Sequence, residues 1–109
     1  MIEATCHCGA VTIAVHAVPV EVTSCNCSIC RRTAVLCAYY TREQVRITGK
    51  TATYQWGDRD ITFHRCQICG CQTHWWPNID IDRVGVNARL MAPEIAASAA
   101  VRNFDGASM

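Results

Sequence analysis

The 109-residue sequence has no excess of either charge: 10 Lys and Arg against 9 Asp and Glu leave a net charge of +1. A general nucleic-acid binder usually carries a basic excess, which argues against that class. No apolar run approaches the roughly 18 residues needed to cross a bilayer, so no membrane span is expected. The start, Met1-Ile2-Glu3-Ala4-Thr5, lacks the charged segment and apolar stretch of a secretory leader, and a cytoplasmic protein is expected. No repeat, low-complexity tract or linker interrupts the sequence, so a single domain over residues 1–109 is expected. A domain this size buries roughly 60–70% of its unfolded surface, which leaves a thin core.

Cysteine, by contrast, is abundant, with 9 in 109 residues. That is about 8%, near the level that signals a cysteine scaffold. The count is odd, and eight of the nine sit in three tight clusters. Cysteines this close in sequence are poor disulfide partners and good chelators, which points to metal.

The intervening residues read as short strands. Val11 to Ala17 alternates apolar and polar or small side chains with the period of a half-buried strand. Val20–Thr23, Val35–Tyr40, Thr51–Trp56, Ile61–Arg65, Gln72–Trp76 and Arg83–Leu90 are also β-favouring, with turn chemistry at Gly57-Asp58-Arg59-Asp60. Thr41-Arg42-Glu43-Gln44 fits a capping box, predicting one helical turn that ends before Gly49. Pro93 to Ala100 is the single helix-prone piece, and Asn103 to Met109 reads as a loose tail. The fold class is mainly β, with seven or eight short strands.

Three cysteine clusters stand out: Cys6-His7-Cys8-Gly9, Cys25-Asn26-Cys27-Ser28-Ile29-Cys30 and Cys66-Gln67-Ile68-Cys69-Gly70-Cys71. Zinc takes four ligands in a tetrahedron. A Cys-x-x-Cys turn ending in glycine puts two thiolates on one side of a tight loop, so Cys66 and Cys69 form a half-site. Cys6 and Cys8, two apart on an extended segment, face one way and can complete either this half-site or the second cluster. The second cluster can fill three corners of a tetrahedron by itself. A fourth corner left open is the arrangement of catalytic zinc, whereas Cys37, Cys71, His7 or His74 would close it. Cys66, Cys69 and Cys71 form another possible triplet, and Cys37, in an apolar strand, reads as a buried small hydrophobe.

Together with Arg31-Arg32 after the second cluster and Phe63-His64-Arg65 before the third, these residues resemble the glutathione-dependent formaldehyde-activating enzymes, also called the centromere-protein-V family. The resemblance covers nearly the whole chain, including Gly49 and Gly85-Val86-Asn87-Ala88-Arg89. It implies a β-tent of small antiparallel sheets clamped by zinc, with one or two short helical turns. It further implies two zinc ions, a structural one on Cys6, Cys8, Cys66 and Cys69 and a catalytic one on Cys25, Cys27 and Cys30. The implied activity is that of a carbon–sulfur lyase joining a small thiol such as glutathione to formaldehyde.

Zinc on three thiolates carries a formal charge of −1, which blunts activation of water, while a coordinating thiol is deprotonated outright. An incoming thiol that adds to, or leaves from, a carbonyl carbon is the chemistry this favours. Arg31 is the candidate to meet a substrate carboxylate or to support the thiolates, and Arg32 reads as surface. His64 and His74 are candidate proton carriers, though strand histidines are more often packed. Tyr39, Tyr40, Trp56, Trp75 and Trp76 are candidates for a pocket wall. Two other readings compete. One is a non-catalytic zinc module for a protein or nucleic-acid partner, as the centromere-associated members suggest. The other is a redox or metal-transfer protein with exposed thiolates.

Overall fold

The computed structural model describes residues 1–109. A three-stranded antiparallel sheet has the order β1 (Ile2–Thr5), β2 (Thr12–Val15), β5 (Val45–Thr48). The second sheet has seven strands: β10 (Ala100–Phe104), β3 (Glu21–Cys25), β4 (Leu36–Tyr40), β9 (Val84–Asn87), β8 (Gln72–Pro77), β7 (Ile61–Cys66) and β6 (Thr51–Tyr54), in that spatial order. All pairings in it are antiparallel except β10 against β3. Helix α1 (Cys30–Thr33) follows β3, and α2 (Pro93–Ser98) precedes β10, with Pro93 in its first turn. No helix is long and apolar enough to cross a membrane.

The fold is mainly β, and period-two alternation divides the large sheet into two chemically different faces. Val22, Ala38, Val84 and Val86 turn to one side and pack on Ala4, Ile13, Val15 and Val45 of the small sheet, forming the core. The residues between them, Thr23, Cys37, Tyr39 and Gly85, turn to the other side together with Phe63 and Trp75. Gly85 lies opposite Tyr39 and Trp75 in register, and any side chain there would run into the Trp75 indole and the Cys37 sulfur. The glycine thus admits the aromatic ring to that face.

Three strands and a helix depart from the sequence-based expectation. The turn at Arg42–Gln44 forms, with the Thr41 amide donating to the Gln44 side chain at 2.9 Å, but it is 3₁₀ and ends at once in β5. Val45-Arg46-Ile47-Thr48 alternates as a strand, and pairing with β2 decides its conformation. β1 pairs with the other edge of β2. The C-terminal tail is not loose: β10 ends at Phe104 beside Cys25, and Asn26 donates to Asp105 and accepts from the Ala107 amide, both at 2.9 Å. Helix α1 is a single turn that closes on Ala34 in the left-handed region (φ 57°).

Candidate metal centres and the adjoining cavity

Cys6 and Cys8 lie in the loop between β1 and β2, and Cys66 and Cys69 at the turn between β7 and β8. The loops meet, and the four sulfurs lie within 4.8 Å of one another. The Cys8 sulfur is 3.7 Å from that of Cys6 and 3.6 Å from that of Cys66. Ligand bonds of 2.3 Å in a tetrahedron place sulfurs about 3.8 Å apart, so this group can hold a metal ion and fits zinc. Gly9 (φ 81°) and Gly70 (φ 78°) supply the left-handed residue that each chelating turn requires. Amides point at the sulfurs: Val11 donates to Cys6 at 3.3 Å, and Ile68 to Cys66 at 3.4 Å. Amide hydrogen bonds from Cys71 and Cys8 bring the Cys69 thiol down to about 5, as suits a thiolate ligand. Both half-sites sit in loops, and together they tie one sheet to the other.

Cys25, Cys27 and Cys30 form a second group whose sulfurs also lie within 4.8 Å of one another, with no further His, Cys, Asp or Glu ligand atom in the group. Cys25 ends β3, Cys27 lies in the connecting turn and Cys30 opens α1. The Cys27 amide donates to the Cys25 sulfur at 3.4 Å and the Cys30 amide to the Cys27 sulfur at 3.5 Å. Burial acts to raise the Cys27 thiol, but hydrogen bonds from the Cys30 amide and thiol outweigh it and hold Cys27 low. Gly106 lies against this group; a Cβ there would be 2.5 Å from the Cys25 sulfur. The triplet can hold a metal ion, and its donors, three thiolates, suit zinc.

None of the four residues considered for closing the triplet belongs to its group. Cys71 packs beside Cys6, Val11 and Cys66 at the four-cysteine group, where its carbonyl accepts from the Cys66 amide at 3.0 Å. His7 lies in the same loop pair. Cys37 is buried as expected, and burial pushes its thiol up to about 12. His74 borders a small space behind Cys30 and Cys37 and stacks on His64, ring centroids 4.3 Å apart.

The triplet opens into a cavity of about 390 Å³ on the face of the large sheet opposite the core. Tyr39, Trp56 and Trp75, three of the aromatic residues expected in a pocket, line it. Trp76 points to the other face, and the Tyr40 hydroxyl donates to the Ala17 carbonyl at 2.8 Å. Phe63 and Phe104 also line the cavity, and sequence reasoning missed them; Asp58, in the Gly57–Asp60 turn, borders it as well and is exposed, as a turn carboxylate should be. The alternation of Ile61 and Phe63 with Thr62 and His64 carried a signal for the first. Phe104 carried none, because only the β10–β3 pairing brings it there. Arg31 is exposed on α1 and stands outside the wall; Arg32 donates to the Ser28 carbonyl at 2.6 Å.

His74 sets a pH dependence of stability. Thr73 donates its hydroxyl to the His64 carbonyl, so its oxygen accepts from Nδ1–H of His74, which is held neutral. Burial, with His64 beside it, lowers His74 to about 3. The unfolded chain takes up this proton near pH 6.5 and the folded one does not, so stability falls as pH drops below 6.5. Between pH 7 and 5.5 the wild type should lose about 1 kcal/mol more than His74→Gln, measured by urea unfolding of metal-loaded protein. Equal slopes for the two proteins would contradict this.

No curated protein matches the chain. A crystal structure of a Rhodobacter sphaeroides protein, a structural genomics target, is similar over 93% of this chain and 100% of its own, with a TM-score of 0.78 and 28% identity. The family model described as glutathione-dependent formaldehyde-activating enzyme matches residues 1–104. With both cysteine groups assembled by the fold, the chain belongs to the glutathione-dependent formaldehyde-activating enzyme family.

Proposed function

We propose that the chain is a zinc-dependent enzyme of carbon–sulfur lyase type that makes or breaks a small thiol–aldehyde adduct at Cys25, Cys27 and Cys30. Cys6, Cys8, Cys66 and Cys69 hold a second, structural zinc that clamps one unit spanning residues 1–109. The observation that carries the proposal is a three-sulfur group with no fourth protein ligand, opening directly into an aromatic cavity. Zinc on three thiolates offers a position at which an incoming thiol is held deprotonated.

The chain's own groups account for the rest. The Cys27 and Cys30 amides steady the sulfurs of the triplet. In the forward direction a carbon–sulfur bond forms at the carbonyl carbon, the C=O π pair moves to oxygen, and the proton lost by the thiol ends on that oxygen. In reverse the carbon–sulfur bond breaks and the carbonyl returns; nothing is oxidised or reduced. Tyr39 is the hydrogen-bond donor for the developing oxyanion. Burial raises its hydroxyl to about 12, which keeps it protonated, and it lines the cavity beside Thr23 and Cys37.

Zinc-loaded protein is expected to catalyse exchange between a thiol plus aldehyde and their adduct, followed by NMR exchange spectroscopy. Tyr39→Phe should lower the rate constant roughly 100-fold with little change in thiol affinity. Wild-type protein with no effect on the exchange would overturn the proposal; an unaltered rate in Tyr39→Phe would remove Tyr39 from it.

A further inference from the structure

The cavity wall limits what can bind beside the triplet. Beyond the triplet cysteines, nine of the 12 remaining lining residues are apolar or aromatic, and Asp58 is the one carboxylate or cationic side chain among them. The tripeptide thiol glutathione carries two carboxylates and an ammonium group, and a carboxylate placed here finds no cation in the wall. Arg31 stands outside it, while Arg83 and Arg102 are held on the rings of Tyr39 and Phe104, at 4.7 and 5.0 Å. An unpaired carboxylate in such a wall loses hydration without compensation. An apolar group gains on entry in proportion to the area it buries.

The kind of contact on offer points the same way. The cavity of about 390 Å³ has room for far more than a one-carbon aldehyde. An aromatic ring, in contrast, finds Phe63, Trp75 and Trp56 as stacking partners. We infer that this site selects a thiol–aldehyde adduct whose bulk is apolar and aromatic, in place of the polar tripeptide adduct. The inference rests on the proposed thiol site and concerns what fills the space beside it.

The test uses the full chain loaded with cobalt(II), whose visible bands report thiol coordination without turnover. Phenylmethanethiol and glutathione are titrated separately. Phenylmethanethiol is expected to change the bands at a concentration at least tenfold below that needed for glutathione. Trp56 is 42% exposed, so Trp56→Arg puts a cation into the wall at a site that tolerates it. This variant should bind phenylmethanethiol about tenfold more weakly and glutathione more tightly, with its melting temperature as the control for folding. Wild-type affinity for glutathione equal to or above that for phenylmethanethiol overturns the inference and leaves the thiol site standing. No band change with either thiol overturns the thiol site and the inference with it.

Discussion

Replacing Cys66 with serine is expected to abolish cooperative folding. Cys66 is 2% exposed, ends β7, accepts amide hydrogen bonds from Ile68 and Cys69, and stands 3.6 Å from the Cys8 sulfur. Its group joins the β1–β2 loop of the small sheet to the β7–β8 turn of the large one. A closed zinc site of this kind contributes about 10–16 kcal/mol of apparent folding free energy. Total stability of a small domain is about 5–15 kcal/mol, so losing a zinc held there would remove most or all of it. The apolar cluster cannot substitute, since its members are mainly Val and Ala with one Ile and one Met. Wild-type protein with a strong chelator should behave like Cys66→Ser. Thermal melts followed by circular dichroism, with zinc counted per chain, check both. A sharp melt from Cys66→Ser with one zinc fewer would show that the sheets hold together without the clamp.

Cys27→Ala is expected to act on turnover and leave folding nearly intact. Cys27 is half-buried at the cavity wall, and its group draws on β3, the following turn and α1, which are consecutive in the chain. Loss of an ion there releases a local turn, whereas loss at the four-cysteine group separates two sheets. The rate of thiol–aldehyde exchange should fall at least 1,000-fold, about 4 kcal/mol in barrier. The melting temperature should move by only a few degrees, and one zinc should remain per chain. Exchange at near wild-type rate would exclude catalysis at the triplet. A melt as broad as that of Cys66→Ser would mean that the triplet is a structural clamp as well.

Much of this was legible in the sequence because cysteine chelation is local. Cys66-x-x-Cys69-Gly70 and Cys25-x-Cys27-x-x-Cys30 each place their thiols together through the geometry of a few bonds, whatever the rest of the fold does. The strand with clear alternation, β2, was legible for a similar reason: one face meets the core and the other does not. β5 was obscured by the capping box before it, and β10 by the alanines that favour a helix, because the hydrogen-bond partners that make them strands lie far away in sequence. The pairing of Cys6 and Cys8 with Cys66 and Cys69 was equally open, since two half-sites 58 or more residues apart are joined only by the path of the chain between them.

The cysteine spacing by itself determined the three clusters and offered Cys66-x-x-Cys69 as a half-site, and the β-rich composition determined the fold class. Tertiary structure decided the rest. It placed Cys71 beside the four-cysteine group and away from the triplet, left Arg31 facing solvent, and brought Phe104 and Asp58 to the cavity wall. The physical reason is range: two side chains within a turn of one another are positioned by backbone geometry, whereas a wall built from β3, β4, β7, β8 and β10 exists only after the sheet has set their register.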